Sequence, residues 1–287
     1  MWMALLAGAA GCAQWKTQPP APAPNKGLPT ASAQPDVVTL ETVLVRIPSD
    51  AEGELARVWM ASDESVLGIA QRRLLARNGL RAGLLIGEIP TLLRDQLQRT
   101  GSRQATDAME GAGLAADVDN RMHRLQCRAG KRKELVVRRS LTAPLTVVGV
   151  SPDGSLVGDT FRQPRILFDL RATPMGGRQA RIRLIPEIEH GDARQTFVAS
   201  EVGIRPSLER PRRTWEALEI DAILREDQIL MIGATLPPKA LGKAFFTTIT
   251  ADKATEHVVL LVRLTATRID ELFAPEQLAQ VKSLAER

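Results

Sequence analysis

Residues 217–268, ALEIDAILREDQILMIGATLPPKALGKAFFTTITADKATEHVVLLVRLTATR, decide the fold class. Three apolar runs stand in this stretch, cut by an acidic turn, by Pro237-Pro238-Lys239 and by a polar Thr/Lys-rich connection. In the last run Val258, Leu260, Val262, Leu264 and Ala266 share one parity. His257, Arg263, Thr265 and Thr267 share the other, among Val259 and Leu261. A period of two predicts a β-strand with one buried face and one mostly wet face.

Upstream the same alternation recurs. Ile166, Phe168, Leu170 and Ala172 alternate with Arg165, Asp169, Arg171 and Thr173. After Pro174-Met175-Gly176-Gly177, Ile182, Leu184, Pro186 and Ile188 alternate with Arg181, Arg183, Glu187 and Glu189. The pattern predicts a hairpin whose arginine and acid rows pair across its wet face. His190-Gly191-Asp192 turns the chain into a further strand over Gln195 to Ala199, and Ser151-Pro152-Asp153-Gly154 closes one over Leu145 to Val150.

Residues 121–139, RMHRLQCRAGKRKELVVRR, read as a hairpin turning at Ala129-Gly130-Lys131, with eight basic residues against one acid, Glu134. One reading is contact with an anionic surface through Arg124, Arg128, Lys131, Arg132 and Lys133. The plainer reading is a solvated hairpin whose charges guard a sheet edge.

Nearer the N-terminus, Val37 to Ile47 predicts a strand and 58–76 a helix, with Val66, Ile69, Ala70, Arg73 and Leu74 marking one face. Asn78-Gly79 supplies the helix stop. A second strand over Leu80 to Ile86 and a second helix from Pro90 to Gln98 follow. The expected fold class is therefore α+β. A small α/β module (37–100) and a connection (101–120) precede a mostly antiparallel β-domain (121–287), which ends in an amphipathic helix from Asp270.

The first residues set the expected location. MWMALLAGAAG, residues 1–11, is a short apolar run ending in small residues and followed at once by Cys12. That is the layout of a secretory segment with a small-residue cleavage site, and it resembles a bacterial lipobox in which Cys12 receives the lipid. The run is too short to span a bilayer, which takes about 20 residues. Residues 13–36 are rich in Pro and Ala and predict an extended spacer. The expectation is a protein held to a bacterial membrane by its lipid, on the periplasmic side, the outer membrane being the favoured one. Its partners would be envelope proteins or other copies of itself. With Cys12 lipidated, Cys127 has no partner for a disulfide.

The 38 Lys and Arg against 33 Asp and Glu give a net charge of +5, and Tyr is absent. No aromatic residue is interleaved with the basic window to stack a base, so nucleic acid is not an expected partner. Gly79, Gly83 and Gly87 lack the spacing of a phosphate-binding loop. Glu187, Glu189 and His190 suggest acid/base or metal chemistry, but His190 falls on the other parity or in the turn. His123 and His257 have no metal-ligand spacing to it. There is no GxSxG, HExxH or Cys-His constellation. Neither a catalytic residue, a cofactor nor a metal is expected.

Three pieces in order carry a family resemblance: IRLIPEIEHGD with Pro186-Glu187, LEIDAILREDQILMIGATLPP with Asp227 to Gly233, and EHVVLLVRLTATRI. Over roughly residues 160–270 this order resembles the C-terminal β-domain of secretins, the ring-forming outer-membrane channels of type II and III secretion systems and type IV pili. The resemblance implies a closing sheet of an envelope domain and a place in a secretion or pilus assembly. The region lacks the aromatic girdles of a membrane barrel, and Arg165, Arg171, Arg181, Arg183 and Arg263 could not face lipid cheaply. A structural or interaction role is therefore expected, with a pore-forming channel subunit, then an envelope enzyme, as the alternatives.

Overall fold

The computed structural model of the chain describes residues 36–99, 118, 121–139, 141–200, 203–249 and 254–269. The lipobox, the Pro/Ala spacer up to residue 35, the terminal helix and, Val118 apart, the 101–120 connection lie outside the described residues.

Two antiparallel sheets face each other across one core. The first has the order β2 (Ser62–Asp63), β3 (Leu80–Leu85), β14 (Ile229–Ala234), β16 (Thr255–Arg268), β1 (Val37–Pro48) and β4 (His123–Arg128), with β15 (Thr247–Ile249) also on β16. The second has the order β12 (Arg212–Thr214), β9 (Gln179–Glu189), β8 (Arg165–Gly176) and β5 (Lys133–Arg138), with β13 (Ile220–Arg225) also on β9. Among the described residues two hairpins pair only with themselves: β6 (Leu145–Val150) with β7 (Leu156–Phe161), and β10 (Arg194–Ser200) with β11 (Gly203–Glu209). The mostly antiparallel α+β character expected from the alternation is what the chain forms.

The division at 101–120 does not separate the sheets. β1 lies between β16 and β4, and β3 pairs with β14, so residues 37–100 build one sheet together with strands from the C-terminal half. A strand as apolar as β1, with Val38, Leu40, Val45 and Ile47 fully buried, needs both neighbours and a cover on each face. The helix expected over 58–76 is two helices, α1 (Glu52–Met60) and α2 (Ile69–Arg77). Ser62 Oγ donates to Trp59 O, Asp63 accepts from Ser65 N, and the chain between the helices contributes β2. Of the face marked in the sequence, Val66 and Leu74 pack against the core beside the buried Leu67 and Leu75, whereas Ile69, Ala70 and Arg73 are exposed. A third helix, α3, covers 91–99.

β16 departs from its expected single wet face. Val258, Leu260, Val262 and Leu264 enter the core between the sheets, with Leu230, Phe168, Leu184 and Ile220. Val259 and Leu261 enter a second core under α1 and α3, with Trp59, Leu55, Leu93 and Met231. Both faces of the strand are covered from His257 through Val262, and exposed residues stand at Thr255 and from Arg263 onward. Between the sheets Phe168, Phe245 and Phe246 meet with ring centroids 5.4–6.2 Å apart, the last two on α4 (Ala240–Phe246).

The expected hairpin over 121–139 is also corrected. β4 pairs with β1 and β5 pairs with β8, so the Ala129-Gly130 turn carries the chain from one sheet to the other. Gly130 takes φ 67° there and its N–H donates to Ala172 O at 3.0 Å.

Asn78-Gly79 is more than a helix stop. The buried Asn78 amide donates to Val150 O at 2.9 Å and accepts from Val150 N at 2.7 Å, fastening the β6–β7 hairpin to the end of α2. Gly79, at φ 76°, lies so close to α4 that a Cβ would stand 2.0 Å from Lys239 O. At Gly242 a Cβ would stand 1.7 Å from Gly79 O, so neither position has room for a side chain.

Candidate functional site

The outer face of the second sheet gathers most of the chemistry-bearing residues. β8 and β9 pair Arg165 with Glu189, and Nη1 of Arg165 reaches Glu189 Oε2 at 2.8 Å. The remaining rows do not oppose as the alternation suggests. Leu167 faces Glu187, Asp169 faces Ile185, and Arg171 faces Arg183. The charges are satisfied sideways instead. Arg181 and Arg183 reach Asp221 and Glu219 beside β13, each at 2.5 Å. Glu187 accepts from Arg132 at 2.5 Å and from Thr214 Oγ1 at 3.1 Å. Arg132 also reaches Glu134 at 3.2 Å and Asp169 at 3.6 Å. Arg171 holds Asp169 at 3.0 Å, and Arg212 holds Glu189 at 3.3 Å.

Arg132, Arg165, Arg171 and Arg212 thus interleave with Glu134, Asp169, Glu187 and Glu189, four cations with four anions. Asp169, Glu187 and Glu189 are only 4–5% exposed because the guanidinium groups lie over them. Burial by itself would raise the Glu134 carboxyl. Arg165 and then Arg132 outweigh it and hold the group below the usual carboxylate range. Burial likewise opposes the charge of Arg132, but Glu187 first, then Asp169 and Glu134, keep that guanidinium above its ordinary value. Such a lattice is self-neutral. Its arginines occupy the positions between carboxylates that a cation would need, and its chemistry is the locking of β5, β8, β9 and β12 into one rigid face.

His190 is not part of it. Its ring packs 5.1 Å from Phe161, and its N–H donates to Pro211 O. His123 is exposed on β4, and His257 is buried under α1 with Nε2 3.7 Å from Glu52. Among the described residues, no three His, Cys, Asp or Glu are placed to hold a metal ion. Cys127 is buried in the main core. Burial pushes its thiol up, with a smaller opposing pull from Lys133, which makes it a poor nucleophile.

The five residues expected at an anionic surface divide. Arg132 is consumed by the lattice, which no local pattern in RAGKRKE could foretell. Arg124 is exposed and lies opposite Glu41 of β1. Arg128, Lys131 and Lys133 are exposed at one end of the molecule, where β4 turns into β5. Arg225, at the end of β13, is a further exposed cation that the sequence did not single out; its neighbour Glu226 accepts from Thr267 N, next to the Arg268–Val37–Arg128 row. Cys12 lies outside the described residues. A cleft of about 380 Å³ opens between β4 and β5, floored by Leu125, Leu135 and Val137 and rimmed by His123, Arg139 and Arg165.

The three pieces behind the secretin resemblance fall in two sheets. Pro186-Glu187 lies on β9, whereas Asp227–Gly233 and the final run contribute β14 and β16 of the other. No protein-family model matches the chain, and no curated protein matches it.

Proposed function

We propose that this chain is an exported, lipid-anchored envelope protein whose folded part is a structural and protein-interaction domain, a component of a secretion or pilus assembly. The anchor is Cys12, with residues 13–35 as its spacer. The observation that carries the interaction role is the β10–β11 hairpin, which pairs only with itself and so offers two strand edges for pairing among the described residues. Strand addition at such an edge is a general mode of partner capture. The rigid charged lattice on the sheet from which the hairpin emerges suits a scaffold.

Two observations favour this reading over a channel wall. β16 has protein on both faces, and the outer face of the second sheet carries ion pairs, so neither surface is one for lipid tails. The test is fractionation of the wild type and of Cys12→Ala with a labelled fatty acid. The expected result is a membrane-bound, acylated wild type and a soluble, unlabelled variant. A wild type that is soluble and unlabelled would overturn the anchor. Rings with a lumen in electron micrographs of detergent-extracted protein would restore the channel reading.

A further inference from the structure

The place where the chain enters its fold coincides with a concentration of unpaired positive charge. Val37, the first residue of β1, is paired with Arg128 on one side and Arg268 on the other, and Asp36 O accepts from Ala129 N at 2.9 Å. At this pole of the fold Gly130 N donates to Ala172 O of β8, and the β8–β9 turn at Gly177-Arg178 adjoins the β13–β14 turn at 226–228. Glu226 N donates to Arg178 O, Asp227 N donates to Leu264 O, and Thr267 N near the end of β16 donates to Glu226 Oε1.

The acids of these turns are already engaged. Glu226 pairs with Arg178, and Asp227 with Arg263 at 2.7 Å. Arg128, Lys131, Lys133 and Arg225 are exposed and form no ion pair among the described residues. Met175, 52% exposed, stands at the end of β8. The cations are spread over turn tips and strand ends rather than lining a groove, the layout of a flat contact.

From this we infer that the pole docks on the anionic phospholipid headgroups of the membrane that holds the Cys12 anchor. The inference rests on the proposed anchoring. The spacer, residues 13–35, reaches at most about 80 Å even fully extended, and it joins the fold at this pole. The lipid surface is therefore kept at high effective concentration next to these charges. Each Lys or Arg brought to an anionic surface contributes about fivefold to partitioning, and the contribution is screened by salt.

Full-length Cys12→Ala, which has no site for the lipid, is sedimented with vesicles of phosphatidylethanolamine and phosphatidylglycerol, and with vesicles of phosphatidylcholine alone. Binding is expected to the first and not the second, weakening as salt rises. The triple variant Arg128→Gln/Lys131→Gln/Arg225→Gln, in the Cys12→Ala background, should lose roughly 100-fold of that binding. The substitutions Arg73→Gln/Arg77→Gln, on the exposed side of α2, should leave it within about twofold. Equal binding to both vesicle types, or an equal loss from the α2 substitutions, overturns the proposal. So does binding to polyglutamate but not to phosphatidylglycerol vesicles, which would assign the pole to an acidic protein. These outcomes are independent of acylation, so the anchor can fail while the docking surface stands, and the reverse.

Discussion

The buried amide of Asn78 joins a helix end, a separate hairpin and, through its backbone, a second helix. Its side chain makes three hydrogen bonds, to Leu74 O and to both backbone groups of Val150, and its carbonyl accepts from Gly242 N at 2.9 Å. Asn78→Ala should cost about 1–3 kcal/mol, because it leaves the half-buried Val150 N–H and C=O without these partners. Gly242→Ala should cost at least as much, since its Cβ would meet a backbone oxygen that cannot give way. Urea denaturation of the two variants checks both. Of this arrangement the sequence shows the Asn-Gly stop and the left-handed residue. It does not show the contact with Val150, which is 72 positions away.

At the scale of the element, β16 shows where periodicity misleads. His257, Arg263, Thr265 and Thr267 read as a wet face because they outnumber Val259 and Leu261 on that parity. The polar ones, however, fall at the ends of the strand, and α1 and α3 cover its middle. Val259→Asn should therefore be as destabilising as Val262→Asn, about 2–3 kcal/mol each, whereas Arg263→Thr should cost under about 1 kcal/mol. Thermal unfolding of the three separates a strand covered on both faces from one covered on one. The β10–β11 hairpin carries the opposite expectation. Replacing Arg194–Glu209 with a short Gly/Ser linker should leave the unfolding midpoint within a few degrees, since the hairpin closes no other sheet.

For the whole molecule, the lattice over the second sheet couples stability to acid. The folded Glu134 carboxyl lies below its unfolded value, so its contribution is complete above about pH 4.5 and is lost as pH falls through the folded value. Arg132 and Arg165 are shifted upward, so their contribution is complete throughout the neutral range and is lost only in strong alkali. The urea midpoint should accordingly be flat between about pH 6 and 9 and should fall below about pH 4.5. Glu134→Gln should flatten part of that acid fall.

Residue alternation and turn chemistry, both local properties, were enough to reveal the antiparallel character, the β8–β9 pairing and the turns at 151–154 and 190–192. They act between neighbours along the chain, so a sequence displays them directly. Which strands join which sheet is a different kind of fact. β1 was assigned to a separate module, β4 and β5 to one hairpin, and Arg132 to an open surface. In each case a partner distant in the chain offers better burial or a closer countercharge: β16 for β1, β8 for β5, Glu187 for Arg132. Long-range pairing is selected by the free energy of the assembled core and its ion pairs, and no window of sequence contains that sum.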